Sequence, residues 1–458
     1  MIYYLTLSII NCYHLFMPNR FDPLSKKIKR GISLAFRWLT PGIGVKRWFA
    51  LILAGITMLG IGLGILLLDL YRNAPDTWWL PVITFFSLRF LPRAARFFVF
   101  GSIGIGLIIA GFVGVNRTLL IPFLRPGQKL VDQVSEYRRR EKGPRVVVIG
   151  GGHGISTVLR GLKEYTRNLT AIVSVADDGG SSGELRRSLG ILPPGDIRNC
   201  LAALSNDEDM LSQLFQYRFS GDSGLSGHSF GNLFISAMVD ITGSFDEAII
   251  ESGRVLSVHG RVLPSTLDNV HLIADVQLPH IGTEIRVEGE SQIPKTDGHV
   301  RRVWIEPNDA SAFPPVIQTL LTADMIVVGP GSLYTSIFPN ILVPDLLEAF
   351  KSSKALKILV CNIANQKGET DFFSSSDHLE ALELHLGESA FDLVICNNNF
   401  PAIPVDGVRW VPLDEKIRSN KRLYCSDLLD VENPWRHDSA KLAKVLMDLL
   451  YERTGPLI

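Results

Sequence analysis

No two cysteines of this chain stand at a C-x-x-C spacing. The five present, Cys12, Cys200, Cys361, Cys396 and Cys425, are scattered, which excludes a thiolate zinc ribbon and a thioredoxin-type dithiol. Cys200, Cys361 and Cys396 sit in apolar runs and are expected to be reduced and buried. Long basic runs are missing from the second part of the chain. Lys+Arg and Asp+Glu balance at 46 each, but residues 1–145 carry 20 basic and 6 acidic side chains, a net of +14, which leaves −14 for the remainder. An acidic part without a basic stripe excludes nucleic acid as its partner. It must hold any anion in a local cradle, not through its overall field. Neither the full G-x-G-x-x-G fingerprint nor a P-loop is present: Gly150 and Gly152 fit the fingerprint, but Ile155 takes the third place, and no Gly-Lys-Ser/Thr follows. No serine–histidine–acid order, internal repeat or low-complexity tract is readable. Residues 1–16 are apolar but lack the basic n-region of a signal peptide.

What the front of the chain has is apolar length. Residues 48–68, WFALILAGITMLGIGLGILLL, and 97–115, FFVFGSIGIGLIIAGFVGV, each approach the ~20 residues that a bilayer requires. Both are rich in glycine, which permits close helix pairing in lipid. Basic clusters precede the first (Lys26, Lys27, Lys29, Arg30, Arg37, Lys46, Arg47) and follow the second (Arg117, Arg125, Lys129, Arg138). The positive-inside rule then places both flanks in the cytoplasm. The expected organisation is a membrane anchor with two transmembrane helices over 1–124, a linker over 125–143, and a cytoplasmic domain over 144–458 anchored to the inner (plasma) membrane.

The globular part opens on residues 146–156, VVVIGGGHGIS. A β-branched run stops at glycines and a helical pattern follows: a buried parallel strand, a tight turn and a helix N-terminus that favours anions. Similar strands are expected over 171–176, 325–328, 358–361 and 393–396, alternating with helical stretches. The fold class is therefore α/β: a Rossmann-like parallel sheet, with a helical insertion over 196–253 and a small antiparallel β extension over 254–306, closed by a helix over 439–451. Ligands of such sheets bind outside the carboxyl ends of the strands.

Polar and glycine-rich tips fall at those ends. In ADDGGSSGELR (176–186), Asp177 and Asp178 are the best catalytic candidates, and Asp178 is the candidate Mg²⁺ ligand. Ser181 and Ser182, with the glycines around them, supply a backbone nest for oxyanions. In PPGDIRNC (193–200), Asp196 is expected to cap a helix. Arg198 then stands at the end of that helix disfavoured for cations, which an external anion would relieve; Asn199 follows. His228 and Asn232 share SGHSFGN (226–232). Gly331 and Ser332 begin a second glycine-rich loop, GPGSLYTS (329–336), with a helix expected near Ser332. Asn362, Asn365 and Gln366 offer uncharged amides suited to a nucleobase or sugar.

Taken in order, GGxGxS, VSVADDGGSSGELR, PPGDIRNCLAAL, LFQYRF, GHSFGNL, RVLPST, GPGSLYTSIFPN and CN…Q.GET resemble the bacterial gluconeogenesis factor family, related to 2-phospho-L-lactate transferase. The resemblance covers about residues 144–458. It implies a Rossmann-like fold that binds a nucleotide sugar of the UDP-N-acetylglucosamine type and regulates cell shape and cell-wall synthesis during gluconeogenic growth. By motif it places Gly151, Gly152, Asp177, Asp178, Ser181, Ser182, Asp196, Asn199, His228, Asn232 and Gly331 at the nucleotide. The residue reading adds Gly154, Arg198 and Ser332. His153 stands where the family usually has threonine, and Ala364 to Lys367 where it has Met-Thr-Gln-Pro. Binding alone would require no cofactor. The alternative is a transferase of phosphorus-containing groups, moving a phospholactyl-type group from a nucleotide-activated donor onto a deazaflavin-like acceptor, with Mg²⁺. Expected partners are the UDP-sugar, the bilayer, cell-wall synthesis proteins, a serine/threonine kinase and a second copy of the chain. The incomplete fingerprint argues against an NAD-dependent oxidoreductase.

Overall fold

The computed structural model of the chain describes residues 143–454, apart from 206–207, 222–223, 279–282, 297 and 402–406, together with isolated positions between 53 and 141. Two compact units divide at residues 138 and 139. The expected spans at 48–68 and 97–115 and the linker at 125–143 lie for the most part outside the described residues. Within the first span Leu53, Ile56, Thr57, Gly60 and Gly64 are helical, and the Thr57 hydroxyl donates to the Leu53 carbonyl one turn back. Within the second, Phe98, Val99, Ser102, Ile105, Gly106 and Ile109 are helical. Among the described residues no helix is long and apolar enough to cross a membrane.

The second unit is built on seven parallel strands. β1 (Val146–Gly150) is buried along its whole length, as is β2 (Leu169–Val173), the signature of strands covered on both faces. β3 (Arg261–Pro264) follows β2 at one edge. On the other side of β1 lie β7 (Met325–Val328), β8 (Leu356–Val360), β9 (Leu393–Asn397) and β10 (Leu423–Ser426), giving the order β10-β9-β8-β7-β1-β2-β3. Chain order therefore runs one way from β1 through β2 and the other way from β7 through β8. The crevice between the tips of β1 and β7 is the topological switch point, where such sheets receive ligands.

Helix α1 (Gly152–Leu162) follows β1 directly. Between β2 and β3 come α2 (Gly180–Leu189), which precedes the expected helical insertion, and α3 (Gly195–Leu204), α4 (Glu208–Gln216), α5 (Phe230–Thr242) and α6 (Phe245–Val255), which make it up. Ser229 caps α5 and Ser244 caps α6, each hydroxyl accepting a backbone N–H of the first turn. β4 (His271–Gln277), β5 (Glu284–Glu288) and β6 (His299–Glu306) form a separate antiparallel sheet in the order β5-β4-β6. Then follow α7 (Pro314–Thr322), a π-type turn at Leu333–Ile337, α8 (Phe338–Ile341), α9 (Pro344–Ser352), α10 (Ser375–Leu386), α11 (Glu415–Arg418) and α12 (Ser439–Thr454).

Three expectations change. The sequence pattern assigns residues 261–264 to the antiparallel extension, yet β3 pairs in parallel with β2, Thr170 opposite Arg261. A four-residue strand headed by an exposed arginine carries no directional signal, and the helical crossover that precedes it sets the direction. β10 was not anticipated at all: it is short and its side chains are only partly buried, as befits an edge strand. Asp196 does not cap α3. The capping position is Pro194, Asp196 lies in the first turn, and α3 has no side-chain cap bond.

Candidate functional site

A cavity of about 480 Å³ opens at the β1/β7 switch point. Gly151, Gly152 and Gly154 line it from the β1 side. Pro330, Gly331, Ser332 and Ser336 line it from the β7 side, and Asn362 to Gln366 from the end of β8. Asp177, Asp196 and Glu290 supply acid, and Trp435, Arg436 and His437 close the remaining side. The volume lies within the ~300–1,000 Å³ of small-molecule sites.

Backbone shape fixes the two glycine loops. Gly152 opens α1 with φ +60, a left-handed conformation that side chains resist. Gly154 meets the second loop so closely that a Cβ there would sit 2.1 Å from the Pro330 carbonyl oxygen. Asn362 clamps that second loop from both sides: its amide oxygen accepts from the Gly331 N–H (3.0 Å) and its amide nitrogen donates to the Gly331 carbonyl (2.8 Å). The Glu369 carboxylate, in the Gly-Glu-Thr motif, accepts from the Thr335 hydroxyl (2.9 Å) and the Tyr334 N–H (3.3 Å), holding the π-type turn. π-type turns recur at functional sites.

The electrostatics of the cavity are acidic. Burial lifts the Asp177 carboxyl above its ordinary range, and the neighbouring Asp178 charge adds to this. Asp196 is enclosed by protein except where it faces the cavity. Burial, then repulsion from Asp177, push it up to about 7, against a Gly152 N–H that favours the charged form. Glu290 is pushed well up by burial and by the charges of Asp177 and Asp196. The expected anion cradle is thus partly filled from within, since the Asp196 carboxylate lies against Gly151 and Gly152. Asp178 is turned away: it accepts from the Ser291 N–H (2.8 Å) and is not among the cavity-lining residues. Among the described residues no three His, Cys, Asp or Glu side chains form a ready metal cage.

The other expected residues form a buried polar cluster behind Asp177. Asn232 donates to the Ser181 hydroxyl (3.0 Å) and the Ser182 hydroxyl (3.3 Å), and accepts from Arg198 (3.1 Å). Arg198 also donates to Ser229 (2.6 Å) and, through Nη2, to Asn199 (3.0 Å). The conflict at Arg198 is therefore resolved inside the protein and not by an external anion. His228 Nδ1 stands 3.1 Å from the Ser181 hydroxyl, and its Nε2 faces Glu184 at 3.5 Å. Ser182 in turn bonds to Asp177. The cluster positions one pocket carboxylate and touches the cavity only through it. Asn232→Ala is expected to cost about 3 kcal/mol, because it leaves a buried guanidinium and two hydroxyls short of partners. A urea titration would show this as a lower midpoint at unchanged slope.

Residues 146–442 match the family of 2-phospho-L-lactate transferase CofD. The chain belongs to the CofD family. Similar proteins include the gluconeogenesis factor of Bacillus subtilis (strain 168), 42% identical over 326 residues that make up 68% of this chain and 99% of that protein. A relative in Nostoc sp. (strain PCC 7120) is 42% identical over 432 residues, 90% of this chain and 92% of its own length, so its likeness extends into the front unit. The crystal structure of a UPF0052 family protein from Bacillus halodurans superposes with a TM-score of 0.61 at 41% identity, covering 67% of this chain and 99% of that one.

Of the residues expected at the ligand, Gly151, Gly152, Gly154, Asp177, Asp196, Gly331 and Ser332 do line this CofD-family cavity, as do Asn362, Asn365 and Gln366. Asp178, Ser181, Ser182, Arg198, Asn199, His228 and Asn232 do not. Sequence reasoning missed Glu290 and the segment 435–437. Glu290 had a faint signal, an acid between Gly289 and Ser291 in a turn joining expected strands. Trp435 had another, a large aromatic in a polar, proline-containing stretch.

Proposed function

We propose that the cavity binds a nucleotide-activated phosphate ester, specifically a nucleotide sugar of the UDP-N-acetylglucosamine type. In this reading the protein reports the ligand's level to the machinery of cell shape and wall synthesis, from beside the bilayer. The observation that carries it is the pairing, at one switch point, of two glycine loops suited to phosphates with a wall of amides suited to a base or sugar.

A second reading, a phosphorus-group transferase, draws on the three carboxylates with raised pKa, since such groups concentrate where protons move. The donor set suits a hard cation: carboxylates that repel one another would gain from Mg²⁺ between them. Asp177 and Asp196 would hold it, with Glu290 facing them. With no ready three-ligand cage, ligand phosphate oxygens would complete the coordination. When bound, the ion would neutralise charge at bridging phosphates. The chain's own contribution is to fix Asp177 through Ser182 and Gly179, whose N–H donates to it at 2.9 Å.

Calorimetric titration of the full-length chain with UDP-N-acetylglucosamine, with and without Mg²⁺, tests the proposal. Saturable heat with the sugar nucleotide recovered intact is the expected result. Release of UDP or UMP during the titration would favour the transferase, and absence of heat under both conditions would overturn the nucleotide-sugar reading.

A further inference from the structure

The cavity poses a charge problem. Its described lining holds three carboxylates, Asp177, Asp196 and Glu290, and a single guanidinium, Arg436. Arg198 is spent on Ser229, Asn232 and Asn199. His437 adds no charge near neutrality, because burial drives its pKa down to about 4. An anionic ligand entering here therefore meets its one cation on the segment 435–437.

Trp435 on the same segment is 41% exposed. It has no aromatic or cationic ring partner among the described residues. The other two tryptophans of this unit do: Trp410 packs 6.2 Å from the Phe400 ring, and Arg286 lies 4.9 Å over Trp304. An indole left open at the mouth of a polar cavity offers a bare π-face to whatever enters.

The segment is also built in advance of any ligand. The Arg436 N–H donates to the Asn433 carbonyl (2.8 Å), the Asp430 N–H to the Arg436 carbonyl (3.1 Å) and the Asp438 N–H to the Leu428 carbonyl (2.8 Å). Leu429 and His437 form an antiparallel bridge. His437 is buried, and its ring lies beside the backbone of Cys361 at the end of β8, the strand that leads into the amide wall, while its Nε2 has no hydrogen-bond partner among the described residues. A turn pinned in this way presents its side chains at little ordering cost.

We infer that residues 435–437 form the element that selects the ligand: Trp435 stacks on a planar heterocycle, the nucleobase, Arg436 supplies the positive charge for the phosphates, and His437 is the buried pin that positions both. The inference rests on the nucleotide binding proposed above and adds which residues read the base, a role that neither glycine loop can perform.

The test uses the full-length chain, with UDP as probe. Trp435→Ala should weaken UDP binding by about 10- to 100-fold, the range that aromatic–base stacking supplies. Trp435→Phe should restore most of it. UDP should quench tryptophan emission in the natural chain, and the quench should vanish in Trp435→Phe. Arg436→Gln should weaken UDP by about 5- to 10-fold at low salt, with the difference closing as ionic strength rises. Because Trp435 and Arg436 are exposed, thermal midpoints should hold; if Trp435→Ala folds poorly, the quench in Trp435→Phe decides. If the natural chain binds UDP and Trp435→Ala binds it equally, or the quench survives in Trp435→Phe, the inference is overturned while the proposed function stands. If the natural chain binds neither UDP nor UDP-N-acetylglucosamine, both fall together.

Discussion

At pH 8, Asp196→Asn is expected to be more stable than the natural chain, although it alters a residue of the cavity. Burial and Asp177 raise the Asp196 carboxyl from 3.8 to about 7. The folded state thus holds this proton more tightly than the unfolded chain does. Stability is then undiminished below about pH 4, falls as pH rises between 4 and 7, and carries the full penalty above 7. A gap of about three pH units corresponds to roughly 4 kcal/mol, and solvent reaching the cavity face of Asp196 reduces this to about 2–4 kcal/mol. Asparagine mimics the shape and neutrality of the protonated form. The stability difference between variant and natural chain should therefore be near zero at pH 4 and largest above pH 7, measured by urea midpoints across that range. A difference that does not vary with pH would contradict the assignment. The same substitution should favour metal-free binding of a phosphate ligand, because a charge that competes for the α1 N-terminus has been removed. Such gains in stability on neutralising a site residue are common where function requires a strained arrangement.

Gly154→Ala should do the opposite. Its Cβ would lie 2.1 Å from the Pro330 oxygen, 2.7 Å from the Pro330 carbonyl carbon and 2.9 Å from the Gly331 Cα. All three are backbone atoms, so no side chain can rotate away. Relief requires α1 and the loop after β7 to separate at the switch point. Overpacking of this kind costs about 1–3 kcal/mol in stability. The larger effect is on the ligand: a shift of ~1 Å between groups that must act together can cost about 100-fold, so a loss of that order in affinity for UDP-N-acetylglucosamine is expected. Gly224→Ala is the control, since its Cβ would meet nothing within 4 Å. A Gly154→Ala protein that binds as the natural chain does would place the ligand elsewhere.

Those two residues also mark what was legible in the sequence. The five central strands were, because β-branched runs ending in Gly150, Gly329 or Asn397 carry both the strand and its stop. Gly154 was legible as part of a loop, but the reason for it was not: its partner, Pro330, is 176 positions away and meets it only because β7 pairs with β1. Asp196 was legible as an acid at a helix start and misread as a cap. Local rules weigh only the nearest N–H groups, whereas the carboxylate reaches across to the Gly151–Gly152 backbone. Arg198 was rightly singled out as a cation at an unfavourable helix end, but its partners come from α5 and its capping residue. Motif residues thus divided into those that touch the cavity and those that brace it, a division that tertiary contacts make. Glu290 and Trp435 enter from the β extension and the approach to α12, where no periodic pattern points toward the crevice.

The most direct test is calorimetry of UDP-N-acetylglucosamine against the full-length chain and its Gly154→Ala variant, side by side at pH 7. Saturable one-to-one binding by the natural chain and a loss of about 100-fold in the variant are expected, with both proteins folded. Equal affinity in the two, or no binding by the natural chain, would contradict the claim that the β1/β7 crevice is a nucleotide-sugar site.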